Sequence, residues 1–312
     1  MKLSIIIPVY YNEDNLRPLY DDLKEKVLDV IDYEYEIIMV NDGSGDNSYE
    51  VMKELAKKDS NIKIFSLSKN YGSHAATYCG LTKCTGDCAV VKAADMQEPS
   101  ELILKMVDSW KEGNNVVLAV REGREEGRMQ VAFSNLYYKI VRKTALPNMP
   151  KNGFDISLID RKVINVLEAL DEKNSSLSCQ ILWSGFRTSQ VSYVRRAREI
   201  GKSRWTFKKK LRLVTNTLFG FSTLPIKLLS GIGVASITMS IIWSIYLIIM
   251  KIRGSITVDG WTSLLVFDLL SFGAIMLAMG VMGEYLWRTF DASRNRPIYI
   301  IEDDGQKTEE KR

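Results

Sequence analysis

Residues 228–250 form an uncharged run that is long enough to cross a lipid bilayer. The run reads LLSGIGVASITMSIIWSIYLIIM and contains no Asp, Glu, Lys or Arg. At a rise of about 1.5 Å per residue, a helix of this length spans roughly 34 Å, slightly more than the hydrocarbon core of a bilayer. The pattern therefore predicts a transmembrane helix.

A second apolar stretch, residues 262–287, predicts a second membrane span. Its two acidic residues, Asp268 and Glu284, fall within two turns of its ends, where their carboxylates can reach the membrane interface. Two spans are favoured over a single span followed by a buried core helix.

The distribution of Lys and Arg around these stretches predicts the orientation of the chain. Residues 208–227 contain five Lys or Arg and residues 288–307 contain four, whereas residues 251–261 contain two. Since basic residues concentrate on the cytoplasmic side, both termini are expected in the cytoplasm. The apolar run LSIII near the N terminus is too short for the core of a signal peptide. We therefore expect a multi-pass protein of the cytoplasmic (inner) membrane.

The part of the chain before these stretches alternates apolar strands with helical patterns. The predicted strands are apolar throughout, which is typical of a mainly parallel sheet covered by helices on both faces, as in Rossmann-like α/β domains. The five strands are predicted in KLSIIIPVY, EYEIIMVN, NIKIFSLSKN, GDCAVVKAAD and NNVVLAVRE.

Four regions follow from these patterns. They are an α/β domain over 1–204, amphipathic interface helices over 205–226, a two-helix membrane anchor over 227–290, and a cytoplasmic tail over 291–312, which is polar and expected to be disordered after residue 303.

Three predicted strands end in polar segments: PVYYNE, NDGS and ADMQEP. In open α/β sheets ligands bind beyond the carboxyl ends of the strands, so a nucleotide-type ligand is expected there. The chain has no Gly-x-Gly-x-x-Gly or Gly-Lys-Ser/Thr loop after a strand, which argues against a dinucleotide site or a P-loop. A divalent cation held by Asp95 offers another way to bind phosphates.

The chain resembles the polyisoprenyl-phosphate glycosyltransferases of glycosyltransferase family 2, which include bactoprenol glucosyltransferases and dolichol-phosphate mannose synthases. The segments that carry the resemblance are PVYYNE, VNDGS, KNYG, ADMQEP, GKSRW and GEYLWR, in order over nearly all of residues 1–300. The resemblance implies a cytoplasmic GT-A domain that moves a hexose, from UDP-glucose or a related UDP-hexose, to undecaprenyl phosphate with inversion. The product would serve cell-envelope glycan modification. A homo-oligomer, a tetramer by resemblance, is also implied, and no nucleic-acid partner is expected.

The resemblance implies a metal-binding Asp-x-Asp-x-Gln segment at ADMQEP. Asp95 and Gln97 would hold Mg²⁺ or Mn²⁺, while Ala93 replaces the first aspartate of the pattern. In an extended stretch, residues two apart point the same way, so positions 93, 95 and 97 are expected to face one ion. The alternative is that Asp95 caps the helix expected after Pro99.

The resemblance also assigns donor-binding residues. Asp42 would contact the base or ribose of the nucleotide, and Pro8, Tyr10 and Glu13 would line the same pocket. Asp155 would orient the hydroxyls of the sugar, although Ser157 stands where the family often has arginine. The alternatives are that NDGS is an ordinary turn and that Asp155 is a cap or turn residue.

An anionic acceptor phosphate needs no strong general base, but its approach to a donor diphosphate calls for fixed cations. Arg121 is one candidate, and Arg198, Ser203 and Arg204 match the family's phosphate-binding pattern. The alternative for this basic stretch is attraction to anionic lipid headgroups, and both roles are compatible.

Two other functions remain open from the sequence. One is a membrane-bound glycosyltransferase that acts on a glycan or teichoic-acid hydroxyl, which would require a catalytic base. The other is a membrane scaffold with impaired catalysis, suggested by Ala93.

Overall fold

The computed structural model describes residues 1–122, 128–170, 172, 175–195, 207–253 and 260–305. The chain divides into two compact units. The first contains Met1–Val214 together with Pro297–Arg312, and the second contains Thr215–Arg296.

An eight-stranded sheet forms the centre of the first unit, in the order β7-β5-β6-β4-β1-β2-β3-β8. Six strands run in the same direction, and β6 and β8 are antiparallel to their neighbours. The mainly parallel α/β sheet expected from the sequence is therefore confirmed. The strands are β1 Lys2–Val9, β2 Glu34–Asn41, β3 Ile62–Leu67, β4 Cys88–Val91, β5 Val116–Arg121, β6 Ile156–Asp160, β7 Thr188–Tyr193 and β8 Ile301–Asp304.

Helices connect the strands and cover both faces of the sheet. They are α1 Glu13–Leu23, which continues as a π-helical turn over Lys24–Leu28, α2 Ser48–Lys58, α3 Ser73–Lys83, α4 Leu102–Lys111, α5 Arg128–Thr144, α6 Arg161–Leu170 and α7 Leu177–Trp183. A further helix, α8 Phe207–Phe221, comes after β7 in the chain.

The two faces of β1 pack against different helices. Ile5 and Ile7 join the core formed with Leu16 of α1 and Met106 of α4, and all four side chains are fully buried. On the opposite face, α3 approaches β1 so closely that a β-carbon at Gly80 would lie 2.3 Å from Cγ2 of Ile6. A glycine is therefore required for this close helix-to-strand packing.

Two long apolar helices dominate the second unit, and they cover the two stretches predicted to span a membrane. They are α9 Leu224–Ile252 and α10 Trp261–Ser293. The segments Leu224–Trp243 and Leu270–Ser293 have mean hydropathies of 1.6 and 1.4, and neither is buried inside the protein. By length and composition, both are capable of crossing a membrane.

Residues at the end of α8 pack against the last turns of α10. Nη2 of Arg288 donates a hydrogen bond of 3.0 Å to Oδ1 of Asn216, and the rings of Phe219 and Tyr285 lie 5.2 Å apart. Arg288 also pairs with Glu284 within α10. Of the predicted interface segment, residues 205–226, the structure describes 207–226, where α8 covers Phe207–Phe221 and α9 begins at Leu224.

The structure corrects the expectation for the polar tail. Residues 301–304 form β8, which pairs with β3 at the edge of the sheet, although IEDD lacks the apolar pattern of a strand. Tyr299 just before it is anchored by a hydrogen bond of 2.7 Å between its hydroxyl and Oγ1 of Thr82. Asp304, expected as the first residue of the disordered tail, therefore belongs to the sheet.

Candidate active site

Most of the predicted site residues lie at one edge of the sheet, which we call the carboxyl edge. The six strands that run in the same direction end there, and the antiparallel strand β6 begins there. Each of these residues adjoins a strand: Asp42 follows β2, Asp95 and Gln97 follow β4, Arg121 ends β5 and Asp155 precedes β6. Arg198, Ser203 and Arg204 lie outside the described residues, so their acceptor-binding role stays a prediction.

Hydrogen bonds join the loops that follow β1 and β2. The carboxylate of Glu13, the first residue of α1, accepts a bond of 2.7 Å from the backbone N–H of Asn47. The backbone N–H of Tyr11 donates to Oγ of Ser44 at 3.1 Å, and the Tyr10 and Tyr11 rings meet edge to face at 4.7 Å. Glu13 therefore fixes the position of one loop against the other. Pro8 lies one residue before the end of β1, beside this joined pair of loops.

Asp42 is buried and organises the loop after β3. Its side chain accepts hydrogen bonds from the backbone N–H groups of Tyr71 at 2.7 Å and Gly72 at 2.9 Å, and from Nδ2 of Asn70 at 3.0 Å. Only 2% of the residue is exposed. In this structure Asp42 positions the Asn70–Gly72 loop at the carboxyl edge, and its predicted contact with a nucleotide stays untested.

The segment after β4 is a turn and not the extended stretch expected from the sequence. β4 ends at Val91, and Met96 has a φ of +56° in the left-handed region. The backbone N–H of Gln97 bonds back to Oδ1 of Asp95 at 3.4 Å. The argument that positions 93, 95 and 97 alternate as in a strand is therefore wrong. Helix α4 begins only at Leu102, so Asp95 does not cap it.

Arg195, which follows β7, reaches this turn. Its Nη2 donates a hydrogen bond to Oε1 of Gln97. The sequence alone assigned no role to Arg195, which lies just before the basic stretch that contains Arg198 and Arg204. Recognition of TSQVSY as a strand, which ends two residues before Arg195, would have placed the arginine at the carboxyl edge.

Arg121, Asp155 and Tyr193 form a second polar group at this edge. Arg121 binds both carboxylate oxygens of Asp155, through Nε and through Nη2, the latter at 2.5 Å. The hydroxyl of Tyr193 donates to Oδ2 at 2.6 Å. Burial by itself would raise the pKa of Asp155, but the bonds from Arg121 and Tyr193 outweigh it and lower that pKa. Asp155 is therefore a fixed carboxylate rather than a turn residue open to water.

Lys92 and Glu98 lie at the two ends of the segment that contains this turn: Lys92 directly follows β4, and Glu98 directly follows Gln97. Lys92 is fully buried, and its Nζ donates a hydrogen bond of 2.7 Å to the backbone oxygen of Glu98. Burial, and then the negative charge of Asp95, raise the pKa of the Glu98 carboxyl to about 7, although Lys92 opposes the shift. The carboxyl edge thus contains a carboxyl group that titrates near neutral pH.

The residues of the turn fit a divalent cation that is bound together with a diphosphate. Among the described residues, no three His, Cys, Asp or Glu side chains are grouped so that they alone could hold a metal ion. Asp95 offers a carboxylate and Gln97 an amide oxygen, and Mg²⁺ or Mn²⁺ can complete such a donor set with phosphate oxygens and water.

Comparisons with known proteins identify relatives along almost the whole chain. The model of the family described as glycosyl transferase family 2 matches residues 4–168. The uncharacterized glycosyltransferase YkcC of Bacillus subtilis is 36% identical over 97% of this chain and 94% of its own length. The bactoprenol glucosyl transferase of Shigella phage SfV is 32% identical over 98% of this chain and 100% of its own length.

A solved structure shares the fold of the chain. Glucosyl-3-phosphoglycerate synthase from Mycobacterium tuberculosis, in complex with Mn²⁺, UDP and glucosyl-3-phosphoglycerate, matches with a TM-score of 0.51 and 16% sequence identity. The match covers 70% of this chain and 79% of that chain. At this identity the similarity is one of fold, and it agrees with the expected GT-A architecture.

Proposed function

The chain belongs to glycosyltransferase family 2, and on that premise we propose that it transfers a hexose from a UDP-hexose, such as UDP-glucose, to undecaprenyl phosphate with inversion. One observation carries this proposal: a relative named bactoprenol glucosyl transferase aligns with 98% of the chain. An alignment of that extent includes both long apolar helices as well as the sheet. The product is a lipid-linked sugar for modification of cell-envelope glycans.

The charges at the carboxyl edge support a phosphate acceptor. An attacking phosphate is already anionic at neutral pH, so the reaction needs cations that offset repulsion rather than a base that removes a proton. Arg121 and Arg195 supply two fixed cations at this edge. Arg198 and Arg204, with Ser203, are the residues that we expect to hold the acceptor phosphate. Tyr193 and Arg121 hold Asp155 in place to orient the sugar.

Mg²⁺ or Mn²⁺ is the expected cofactor, with Asp95 and Gln97 as its protein ligands. When bound, the ion stabilises the negative charge that develops on the leaving diphosphate. In the structure Arg195 holds the amide of Gln97, so it also fixes the orientation of that ligand. Glu13 and Asp42 position the loops on which the nucleotide would lie.

We propose a membrane-bound enzyme whose catalytic unit and both termini are cytoplasmic. α9 and α10 are long and apolar enough to span a bilayer, and the flanking Lys and Arg counts favour this orientation. Small residues in α10, including Gly273 and Gly280, allow close helix packing, which supports a homo-oligomer.

A transfer assay tests the proposal. The purified full-length protein in detergent is supplied with Mn²⁺, undecaprenyl phosphate and a panel of radiolabelled UDP- and GDP-hexoses. We expect label in the lipid fraction with a UDP-hexose, and NMR of the product is expected to show the inverted anomeric configuration.

Undecaprenol, which lacks the phosphate, is the matched control and is expected to receive no sugar. Equal transfer to undecaprenol, or transfer only to a glycan or teichoic-acid hydroxyl, would contradict the phosphate acceptor. No transfer with any donor and acceptor would favour the scaffold function.

A further inference from the structure

Lys92 is a buried cation, and the proposed reaction does not explain its presence at this position. None of its surface is exposed, and its ammonium nitrogen bonds to the backbone oxygen of Glu98 at 2.7 Å. Removing an ammonium group from water is unfavourable unless nearby groups compensate its charge. A methionine would fill a similar volume without this cost, so the charge of Lys92 needs an explanation in its surroundings.

The surroundings of Lys92 are charged groups of the carboxyl edge. The carboxyl of Glu98 interacts electrostatically with Lys92 and Arg195, and also with Asp95 and Asp155. Glu98 is 4% exposed, and its Oε2 has no hydrogen-bond partner among the described residues. Arg121 adds a third cation through its pair with Asp155. Around Glu98, the cations Lys92, Arg195 and Arg121 therefore oppose the negative charges of Asp95 and Asp155.

The charges around Glu98 determine whether the divalent cation or the diphosphate binds first. A site that attracts a free divalent cation usually has an excess of carboxylates, because each one adds attraction for the ion. A site that attracts a diphosphate needs cations that are already in place. Lys92 favours the second case, since its ammonium group bonds to the backbone of Glu98, directly after the turn that holds Asp95.

We propose that Lys92 is a positioning residue of the donor site, which fixes the turn through the Glu98 carbonyl and offsets the charge of the turn's carboxylates. The empty site then attracts the diphosphate of the donor before any metal is present, and it does not take up a metal ion by itself. This inference rests on the proposed nucleotide-sugar site, but it concerns only the diphosphate and the cation.

Removal of the charge is expected to change the two affinities in opposite directions. In Lys92→Met, Mn²⁺ alone loses a repulsive neighbour, so its dissociation constant is expected to fall by about tenfold. Pyrophosphate loses an attractive neighbour, so its dissociation constant in EDTA is expected to rise by about tenfold. Mn²⁺ binding is measured by electron paramagnetic resonance and pyrophosphate binding by isothermal titration calorimetry, both on the full-length protein in detergent.

Lys63→Met is the matched control. Lys63 pairs with the buried Glu36 at the opposite edge of the sheet, so its loss is expected to lower the thermal stability without changing either affinity. If Lys92→Met damages the fold, the binding of Mn²⁺ and the binding of pyrophosphate both become weaker. That result would overturn the proposal, and so would unchanged affinities for the two ligands.

The native protein gives a test that does not depend on the folding of any variant. It is expected to bind pyrophosphate in EDTA and to leave micromolar Mn²⁺ unbound in the absence of a diphosphate. Tight binding of Mn²⁺ alone, or no binding of pyrophosphate without metal, would also overturn the role of Lys92. Neither probe contains a sugar or a base, so failure of the UDP-hexose assay is distinguishable from failure of this inference.

Discussion

Glu36 is a buried carboxylate at the amino edge of the sheet, at the opposite end of the strands from the site. Its side chain is 2% exposed and accepts hydrogen bonds from Oγ of Ser4 at 2.7 Å, Nζ of Lys63 at 2.8 Å and the backbone N–H of Thr85 at 2.5 Å. Burial alone would raise the pKa of Glu36, but the bonds from Lys63, Thr85 and Ser4 outweigh it and lower the pKa to about 2. These bonds join three strands and the turn before β4.

The first prediction concerns the acid stability that Glu36 confers. Its pKa in the folded state lies below the unfolded value of about 4.3, so its stabilisation is complete above that value and is lost as the pH falls toward 2. The shift corresponds to about 3 kcal/mol. Glu36→Gln is expected to lower the thermal midpoint at pH 7 and to flatten its dependence on pH between about 4.5 and 2. An unchanged pH profile would show that Glu36 does not carry this stabilisation.

Asp95 is the residue on which the proposed metal site depends most. Asp95→Asn is expected to lower sugar transfer at millimolar Mn²⁺ by at least about 100-fold, because the ion loses its charged ligand. Calorimetry is expected to show weaker Mn²⁺ binding in the presence of UDP. Asp87→Asn, at the amino edge beside Lys2, is the control and should retain activity. Full activity of Asp95→Asn, or of the native protein in EDTA, would contradict the proposed metal site at Asp95.

Arginines near both ends of β7 allow a matched comparison. Arg195 binds Gln97 at the carboxyl edge, whereas Arg187 precedes the strand and is exposed. Arg195→Ala is expected to reduce kcat by about 10- to 100-fold, because it removes a cation and releases a metal ligand. Arg187→Ala is expected to have little effect. Similar losses of kcat in the two variants would show that Arg195 has no specific role in the site.

At the scale of elements, β1 to β5 were predicted because their strands are apolar on both faces, as the two layers of helices require. The positions of Asp42, Asp95 and Arg121 followed from the ends of those strands. β6, β7 and β8 escaped prediction. For β7 and β8 the reason is that TSQVSY and IEDD lie at the two edges of the sheet, where one backbone edge has no neighbour and side chains need not be apolar.

The turn after β4 shows a second limit of sequence reasoning. Its shape depends on the positive φ of Met96 and on a hydrogen bond from Arg195, a residue far away in the chain. Local patterns do not contain such contacts, so the sequence located the site without giving its geometry.

The strand β8 is expected to be needed for stability of the sheet. Removal of residues 297–312 exposes the backbone edge of β3, which pairs with β8, and the buried side chains of Ala75 and Tyr78, which pack against Ile298. A chain that ends at Arg296 is therefore expected to unfold several degrees lower and to aggregate more readily. A chain that ends at Gly305 keeps β8 and is the control. Equal melting temperatures of the two proteins would show that β8 adds nothing to stability.

At the scale of the whole molecule, the course of the chain constrains the membrane topology. The segments before Thr215 and after Arg296 both belong to the unit that contains the sheet. If the helices between them cross a membrane, they must cross it an even number of times, because both segments end on the same side. This argument is independent of the Lys and Arg counts, and it supports the same pair of spans.

Reporter fusions test this topology. A reporter fused after Arg312 is expected to be active in the cytoplasm, and one inserted near Ser255, between α9 and α10, is expected to report from the outer side of the membrane. Detection of both reporters in the same compartment is incompatible with two spans.

The late position of β8 in the chain also affects biosynthesis. A ribosome completes β3 early, whereas β8 emerges only after both apolar helices have been translated. Until then the nascent sheet has an open edge at β3, a surface that chaperones and proteases recognise in incomplete proteins. The catalytic sheet is therefore complete only after the helical segment has been translated. A chain whose translation stalls before β8 is left open to degradation.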